Sequence, residues 1–276
     1  MAQITGQRYL RTEALPHQWC PGCGNGIVLG AMLRAFEQLN LTNREVVVVT
    51  GLGCWGKADN YIRTNALHAT HGRALAFATG VKAGNLDLHV VALMGDGDGA
   101  TIGGNHLIHS ARRNIGVTAI VVNNFTYGMT GGQQSALTPA AAITSTTAYG
   151  NPEPPFDLCA LVEAAGANYV ARETVCHPGL LQNRIREALS RHGFSLVEAV
   201  SPCTALYGPA NKMNNPAAML AWLKEKWIPA RKYREIPNAA GQGYFPTGKL
   251  VDKDAPDFSA RYAEVQLRAQ RRLAQT

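Results

Sequence analysis

No stretch of the 276-residue sequence is long and apolar enough to span a membrane, and its polar first residues contain no apolar signal core. These absences argue against membrane-embedded classes and predict a cytoplasmic protein that does not bind a membrane. In that reducing compartment, the six cysteines are expected to bind metal or to pack, and not to form disulfides. The composition, 46% apolar, suits one large domain with or without a tail.

Internal repeats, low-complexity segments and nucleic-acid recognition motifs are also absent, which argues against a nucleic-acid partner. The net charge of +7 is concentrated at one end, because residues 205–276 contain 12 Lys and Arg against 6 Asp and Glu. This basic region is either a solvated surface or a docking surface for an acidic protein.

Residues 1–204 alternate between strand-like and helix-like runs. The predicted strands are residues 45–50, 88–94, 117–122, a segment near Tyr169, and 195–200, and the predicted helices are residues 25–39, 72–85, 105–113, 156–165 and 180–192. This alternation predicts an α/β domain built on a doubly wound parallel sheet. After Cys203, repeated prolines predict an irregular, extended basic arm over residues 205–276 that packs on the domain or on a partner, with a terminal helix from about Phe258.

Polar loops follow two of the predicted strands. GDGDG follows the strand at 88–94, and NNFTYG follows the strand at 117–122, so that Asp96 and Asn124 are separated by one βαβ crossover. Asp96, Asn124 and the backbone carbonyl of Thr126 can supply the oxygen ligands that Mg²⁺ prefers when it bridges a diphosphate. Gly95 and Gly97 allow the backbone to approach phosphates closely.

A dinucleotide site is the alternative for these loops. It is disfavoured because the first strand, although followed by GLGCWG with the GxGxxG spacing, has no acid about 20 residues further on. The arrangement instead resembles the GDG…N motif of thiamine-diphosphate enzymes, and that resemblance implies thiamine diphosphate as the cofactor.

The cysteines fall into two groups. Four lie in loops or just past strands and are candidates for one metal site: Cys20, Cys23, Cys54 and Cys203. Their spacing allows either zinc or a [4Fe–4S] cluster, although a single CxxC pair with two distant single cysteines modestly favours the cluster. Cys159 and Cys176 are expected to be ordinary packing thiols.

Six segments together are similar to one protein family. WCPGCG, TGLGC, HATHGRALAFATGVK, GDGDG, NNFTYGMTGGQ and SPC occur in the order found in β subunits of 2-oxoacid:ferredoxin oxidoreductases, over about residues 15–205. The resemblance implies a [4Fe–4S] cluster on Cys20, Cys23, Cys54 and Cys203, and Mg²⁺ on Asp96, Asn124 and Thr126.

The resemblance also implies a set of thiamine-binding residues: Gly53, Cys54, His71, Gly95, Asp96, Gly97, Asp98, Asn124, Thr126, Tyr127, Gly128, Met129 and Thr130. His71 is expected to hydrogen-bond a phosphate or the aminopyrimidine, unless it serves as a helix cap. Lys57 matches a lysine that reaches the substrate in some relatives, and the alternative is a solvated cation. Other relatives carry a lysine where this sequence has Gly131, so contacts with the far end of the substrate do not carry over.

The implied activity is thiamine-dependent oxidative decarboxylation of a 2-oxoacid with coenzyme A, or the reverse reductive carboxylation, with electrons passing through the cluster to ferredoxin. HQWCPGCGNG and YGMTGGQ are most similar to 2-oxoglutarate oxidoreductases, with pyruvate or branched-chain 2-oxoacids as alternative substrates. The activating glutamate of this family comes from an α subunit, so we expect an inactive single chain and an (αβ)2 or similar complex. A thiamine enzyme without a cluster and a zinc-stapled binding or assembly subunit remain the other hypotheses.

Overall fold

The structure, a computed structural model, describes residues 6–274. Eight strands form one sheet: β1 (Val46–Thr50), β2 (Asn65–His68), β3 (His89–Gly95), β4 (Val117–Asn123), β5 (Tyr169–Thr174), β6 (Ser195–Val200), β7 (Trp227–Pro229) and β8 (Phe245–Asp252). The strand order is β2-β1-β3-β4-β6-β5-β8-β7. All neighbouring strands are parallel except β5 and β8, which confirms the predicted doubly wound α/β fold.

Ten α-helices connect and cover these strands within residues 6–274: α1 (Asn25–Gln38), α2 (Ala74–Gly84), α3 (Asp96–Ala100), α4 (Gly104–Arg113), α5 (Leu158–Ala165), α6 (Pro178–Leu189), α7 (Tyr207–Ala210), α8 (Pro216–Lys226), α9 (Ala230–Glu235) and α10 (Phe258–Leu273). Short 3₁₀ helices lie at Gln7–Tyr9, Thr12–Ala14 and Trp55–Tyr61. The strands and helices predicted for residues 25–200 are all present, with slightly shifted bounds.

The sheet has a hydrophobic core on each face. Helices α1 and α6 cover one face, and α2, α4 and α5 cover the other. Successive strand residues alternate between these cores: Val48 and Val91 belong to the first, and Val49 and Ala92 to the second. Apolar burial on both faces explains why these strands are continuous β-branched and aliphatic runs.

The region after Cys203 contains more regular structure than its prolines predict. Strand β8 pairs antiparallel with β5, and β7 pairs with β8, so the prediction of an irregular arm is wrong for these segments. The rings of Trp227 and Phe245 stack with centroids 4.6 Å apart and anchor the two added strands. Pairing with β8 also covers a backbone edge of β5 that would otherwise be open. The terminal helix α10 begins at Phe258, as predicted.

Two local features also differ from the prediction. Strand β2 was not predicted, because all four of its residues are exposed and give no apolar signal. The expected glycine loop after β3 is the short helix α3, which starts at Asp96. Among residues 6–274, the structure contains no helix with the length and apolarity needed to cross a membrane.

Candidate cofactor and metal site

The predicted motif segments leave the sheet at one edge, where the parallel strands end. Gly95 at the end of β3 pairs with Val122 of β4, and Asn123 at the end of β4 pairs with Val200 of β6. Strand β1 ends at Thr50 on the same edge. The residues that follow these four strands therefore meet in one place, as expected for ligand sites of open parallel sheets.

Asp96 is buried at this edge, with 2% of its surface exposed. Its Oδ1 accepts a hydrogen bond from the backbone N–H of Asn124 at 3.1 Å, and its Oδ2 accepts one from the Ser135 hydroxyl at 2.8 Å. Burial raises the pKa of Asp96 to about 7, and the two hydrogen bonds only partly oppose that effect. A divalent cation beside the carboxylate would favour the ionised form, so the position suits a metal ligand.

Asn124 and Thr126 bring two more oxygens to Asp96. The amide oxygen of Asn124 lies 2.7 Å from Asp96 Oδ1 and 2.6 Å from the Thr126 carbonyl oxygen. These three acceptors repel one another without a cation, and turning the amide over would replace the repulsion with two hydrogen bonds. Neighbouring ligands of an octahedral Mg²⁺ ion are about 2.9 Å apart, so these three groups are close enough to share such an ion when the Asn124 amide oxygen faces Asp96.

A cavity of about 340 Å³, hereafter the cofactor cavity, opens beside these oxygens. It is lined by twelve of the thirteen predicted cofactor-binding residues: Gly53, Cys54, His71, Gly95, Asp96, Gly97, Asn124, Thr126, Tyr127, Gly128, Met129 and Thr130. Leu52, Trp55 and Val122 also line it and were not identified from the sequence. A cavity of this size with a few polar groups suits a small organic cofactor.

Asp98, the thirteenth predicted residue, lies behind the cavity wall and supports His71. Its Oδ1 accepts a hydrogen bond from the backbone N–H of Gly72 at 2.5 Å and lies 2.8 Å from His71 Nδ1. Burial raises the pKa of Asp98, while Gly72 and His71 oppose that shift. Helix α2 has no side-chain cap, so His71 does not serve as one, and its half-exposed ring faces the cofactor cavity.

Gly97 keeps this cavity open. A Cβ at Gly97 would lie 3.0 Å from Cε1 of Tyr127 and 3.2 Å from Cε1 of His71. Both distances are shorter than the carbon–carbon optimum of about 3.5–4.0 Å. Any side chain here would therefore displace two residues of the cavity wall.

The four candidate cysteines meet around a second, smaller space. Cys20, Cys23, Cys54 and Cys203 line a cavity of about 80 Å³, hereafter the cysteine cavity. Burial raises the pKa of Cys23 to about 11, and repulsion from the other three thiolates adds to the effect of burial. Four thiolates in one cavity therefore need positive charge between them, which a metal centre would supply.

The number of cysteines matches a polynuclear centre. Four of them line one cavity, and a [4Fe–4S] cluster takes one cysteine per iron. Among residues 6–274, however, no group of three or more Cys, His, Asp or Glu side chains is arranged to hold a metal ion, so the four cysteines share a cavity without forming a preformed metal site. The other two cysteines lie elsewhere: the buried Cys159 thiol contacts Glu198 at 3.3 Å, and Cys176 contacts the Leu220 carbonyl at 3.6 Å.

Lys57 and Trp19 also line the cysteine cavity. Lys57 Nζ donates to Gln18 Oε1 at 3.1 Å, so this lysine lies on the cysteine side and does not line the cofactor cavity. Trp19 Nε1 donates to the backbone carbonyl of Cys54 at 2.6 Å, and its ring lies 5.9 Å from that of Trp55. Neither tryptophan was predicted as a site residue, although the sequence places each beside a candidate cysteine.

The two cavities share a wall. Cys54, Asn124 and Met129 line both of them. A Cβ on Gly128 would lie 3.5 Å from the Cys203 sulfur and 3.7 Å from the Cys54 sulfur. The backbone N–H of Cys203 also donates to the carbonyl of Asn124 at 3.1 Å. The oxygen-lined and sulfur-lined sites are therefore direct neighbours and can work as one unit.

Comparison with known proteins agrees with this arrangement. Residues 52–199 match the family described as thiamine pyrophosphate enzyme, C-terminal TPP binding domain. The chain is 46% identical over 251 residues to the 2-oxoglutarate synthase subunit KorB of Methanothermobacter thermautotrophicus, covering 91% of this chain and 88% of that protein. It is 51% identical over 219 residues to the Archaeoglobus fulgidus subunit of the same name, covering 79% and 80% of the two chains.

A solved structure shares the fold over nearly the whole length. It is a 2-oxoglutarate:ferredoxin oxidoreductase from Magnetococcus marinus with 2-oxoglutarate, coenzyme A and succinyl-CoA bound. The TM-score is 0.85 at 29% sequence identity, covering 98% of this chain and 92% of that chain. With the sequence matches, this likeness shows that the chain belongs to the thiamine pyrophosphate enzymes and, among them, to the β subunits of 2-oxoglutarate synthases and related 2-oxoacid:ferredoxin oxidoreductases.

Proposed function

We propose that this chain is the β subunit of a 2-oxoglutarate:ferredoxin oxidoreductase. In the oxidative direction, 2-oxoglutarate and coenzyme A give succinyl-CoA, CO₂ and two electrons for ferredoxin, and reductive carboxylation is the reverse. The observation that carries the proposal is the wall shared by the cofactor cavity and the cysteine cavity. A one-electron carrier placed directly beside a decarboxylation site is what this reaction needs.

We place thiamine diphosphate in the cofactor cavity, with Mg²⁺ held by Asp96, Asn124 and the Thr126 carbonyl. When bound, thiamine diphosphate supplies the carbanion chemistry that releases CO₂ from a 2-oxoacid. The chain's own contribution is position and charge. Asp96 and its two neighbours fix the cation that neutralises the diphosphate, and His71, oriented by Asp98, offers a ring nitrogen to a phosphate or to the aminopyrimidine.

We place a [4Fe–4S] cluster in the cysteine cavity, on Cys20, Cys23, Cys54 and Cys203. The clustering of four thiols in a small cavity supports this assignment. Trp19 supports it further, because its hydrogen bond to the Cys54 carbonyl holds that ligand segment in place. We also propose that Lys57 can release Gln18 and hold a substrate carboxylate at the shared wall, where an ammonium acts as a point charge.

The active site is proposed to be completed by an α subunit. Among the residues that the structure describes, Asp96 is the only carboxylate that lines the cofactor cavity, and it is proposed to bind Mg²⁺. We therefore propose that the acid that activates thiamine comes from the α subunit, as the family resemblance implies. Exposed apolar side chains at Leu52 and Met129, both on the cavity rim, support a partner that covers the opening in an (αβ)2 or similar complex.

Residues 1–204 are proposed to form the thiamine- and cluster-binding domain, and residues 205–276 a basic arm with a separate role. Residues 1–5 and 275–276 of these two segments lie outside the described residues. None of the described residues of α10 is buried, and its last turn contains Arg271 and Arg272. We propose that this arm helps to attract acidic ferredoxin. The six free thiols fit a reducing cytoplasmic setting, which we propose as the location.

The test is anaerobic purification of the chain alone and with its α subunit. We expect a brown protein with about four irons per chain, and turnover of 2-oxoglutarate with coenzyme A and ferredoxin only in the complex. A colourless protein that contains one zinc would support the zinc-stapled subunit instead. Iron-free protein that still binds thiamine diphosphate would point to a non-redox thiamine enzyme, and turnover by the single chain would contradict the need for a partner.

A further inference from the structure

Three buried polar residues form a hydrogen-bonded chain across three neighbouring strands, β5, β6 and β4. The chain ends at the last residue of β4, next to the proposed magnesium ligands. The side chains of Arg172 on β5 and Glu198 on β6 are 4% and 3% exposed, and Arg172 Nε donates to Glu198 Oε2 at 2.7 Å. Glu198 Oε1 accepts a hydrogen bond from Nδ2 of Asn123 at 2.8 Å. This polar chain, from β5 through β6 to the last residue of β4, lies outside the lining of the cofactor cavity.

Asn123 connects the polar chain to the turn that contains the proposed magnesium ligands. Its Oδ1 accepts a hydrogen bond from the backbone N–H of Phe125 at 3.2 Å. Phe125 has a φ of 66°, a left-handed conformation that is unfavourable for a residue with a Cβ. Asn124 and Thr126 lie on either side of Phe125, so the directions of the Asn124 amide and the Thr126 carbonyl depend on this turn.

The Glu198 carboxylate determines which way the Asn123 amide faces. A carboxylate only accepts hydrogen bonds, so it selects the Nδ2 end of the amide and leaves Oδ1 for Phe125. Arg172 holds the carboxylate from the other side and also donates to Asp157 at 2.5 Å. Each member of the polar chain therefore has one orientation that satisfies its neighbours.

Stability alone is a poor explanation for this polar chain. Replacing a buried ion pair with apolar residues is often neutral or stabilising, and the β6 residues beside Glu198 are the apolar Val197 and Ala199. A second ion pair, in which only the carboxylate is buried, provides a contrast. Glu173 of β5 lies 3.7 Å from Arg184, a residue of α6. This pair does not contact the turn of residues 124–126.

We infer that Arg172, Glu198 and Asn123 are positioning residues that hold the turn of residues 124–126 in its metal-binding shape. This inference rests on the proposed function, because it assigns the turn to Mg²⁺. The three residues act through Asn124 and Thr126 and do not contact the metal. Without them, the two ligand oxygens are free to turn away from Asp96, and more Mg²⁺ is needed to bind thiamine diphosphate.

The test measures how thiamine diphosphate binding to the complex with the α subunit depends on the Mg²⁺ concentration. Binding is detected by the quenching of tryptophan fluorescence. Asn123→Asp places a carboxylate against the Glu198 carboxylate. Glu198→Gln places an amide N–H group against one of the two donors, Asn123 Nδ2 or Arg172 Nε. Each single variant should therefore raise the half-saturating Mg²⁺ concentration about tenfold. The double variant Asn123→Asp/Glu198→Gln reverses the direction of the hydrogen bond and lets the glutamine oxygen accept from Arg172. It should return to within about threefold of the wild type.

The matched control is Glu173→Gln, which changes a buried carboxylate of β5 that faces α6 and should leave the Mg²⁺ titration unchanged. Single variants that titrate like the wild type would overturn the inference. A double variant that fails to recover would overturn it too, because general damage to the core adds and does not cancel. If one single variant does not fold, the other and the double variant still decide. A wild-type complex that binds no thiamine diphosphate would refute the proposed function itself.

Discussion

The oxygen site and the cysteine site lie on the same edge of the sheet but are built in different ways. Asp96 and Asn124 follow two adjacent strands whose register is fixed by pairing, and Asp96 is buried. The cysteines come from three separate segments, and Cys20 is exposed. The pairing of the strands therefore fixes the positions of the proposed oxygen ligands, whereas the proposed cysteine ligands lie on loops that line one cavity without any strand pairing between them.

This comparison predicts its largest effect at a cysteine. Cys203→Ser should abolish the cluster and reduce ferredoxin reduction to background, because one of four ligands is lost. Thiamine diphosphate should still bind, since the oxygen site is held by the sheet. Iron analysis and visible absorbance measure the first effect and fluorescence quenching the second. Cys176→Ser is the matched control and should keep the cluster, and loss of iron in that variant would contradict the assignment.

The converse change is Asp96→Asn. Removing one partner of a buried charge contact costs about 3–5 kcal/mol, so thiamine diphosphate affinity at fixed Mg²⁺ should fall at least about a hundredfold. The iron content should not change. Calorimetric titration of the complex measures the affinity, and the exposed Asp87→Asn serves as the control. An Asp96→Asn complex that binds the cofactor normally would remove the oxygen site from the account.

Gly97→Ala tests the shape of the cofactor cavity without changing charge. The new Cβ would come within 3.0 Å of Tyr127 and 3.2 Å of His71, so the cavity wall must shift. Overpacking of this kind costs about 1–3 kcal/mol, and the same energy taken from cofactor binding would lower the affinity about 5- to 150-fold. Gly104→Ala is the control, because a Cβ at Gly104 meets nothing within 4 Å. Equal effects of the two changes would argue against the steric explanation.

Salt should separate the basic arm from both sites. The Debye length falls from about 10 Å at 0.1 M to about 3 Å at 1 M, so docking that depends on charge weakens as salt is added. We expect the KM for ferredoxin to rise several-fold over that range, while turnover with a neutral dye changes little. A flat response with ferredoxin would mean that the arm is only a solvated surface.

The smallest effect is a pH dependence remote from both sites. Burial raises the pKa of Glu173 from 4.5 to about 7 in the folded protein, and Arg184 only partly opposes this. The folded state therefore binds more protons than the unfolded state between these values, so stability should fall as pH rises from about 4.5 to 7. Thermal unfolding of the wild type and of Glu173→Gln, which removes this titration, measures the difference. If the stability of the wild type and of Glu173→Gln depends on pH in the same way, the raised pKa of Glu173 would be contradicted.

The contrast between the two sites also explains what could be predicted from the sequence. Asp96 and Asn124 were identifiable because each follows an apolar strand and one crossover separates them, so the local pattern determines where they meet. The choice of an iron–sulfur cluster over zinc needed the family resemblance, because the spacing of the four cysteines favoured the cluster only modestly and left both open.

Features that depend on distant partners were not predictable. Strand β8 contains a proline and a glycine and forms because the edge of β5 is available. Trp19 matters through a hydrogen bond to a carbonyl 35 residues away. Glu198 stands in an apolar strand, and only the fold reveals that Asn123 and Arg172 face it. In each case the decisive contact joins segments that are far apart in the sequence, and no local sequence pattern indicates that they meet.

The claim that the two sites form one electron-transferring unit is tested most directly by freeze-quench electron paramagnetic resonance of the complex after mixing with 2-oxoglutarate. The signal of a reduced [4Fe–4S] cluster should appear in the wild type. It should be absent in Asp96→Asn, whose cluster dithionite still reduces. A wild-type cluster that stays oxidised with substrate, or an Asp96→Asn cluster that substrate reduces normally, would contradict the account.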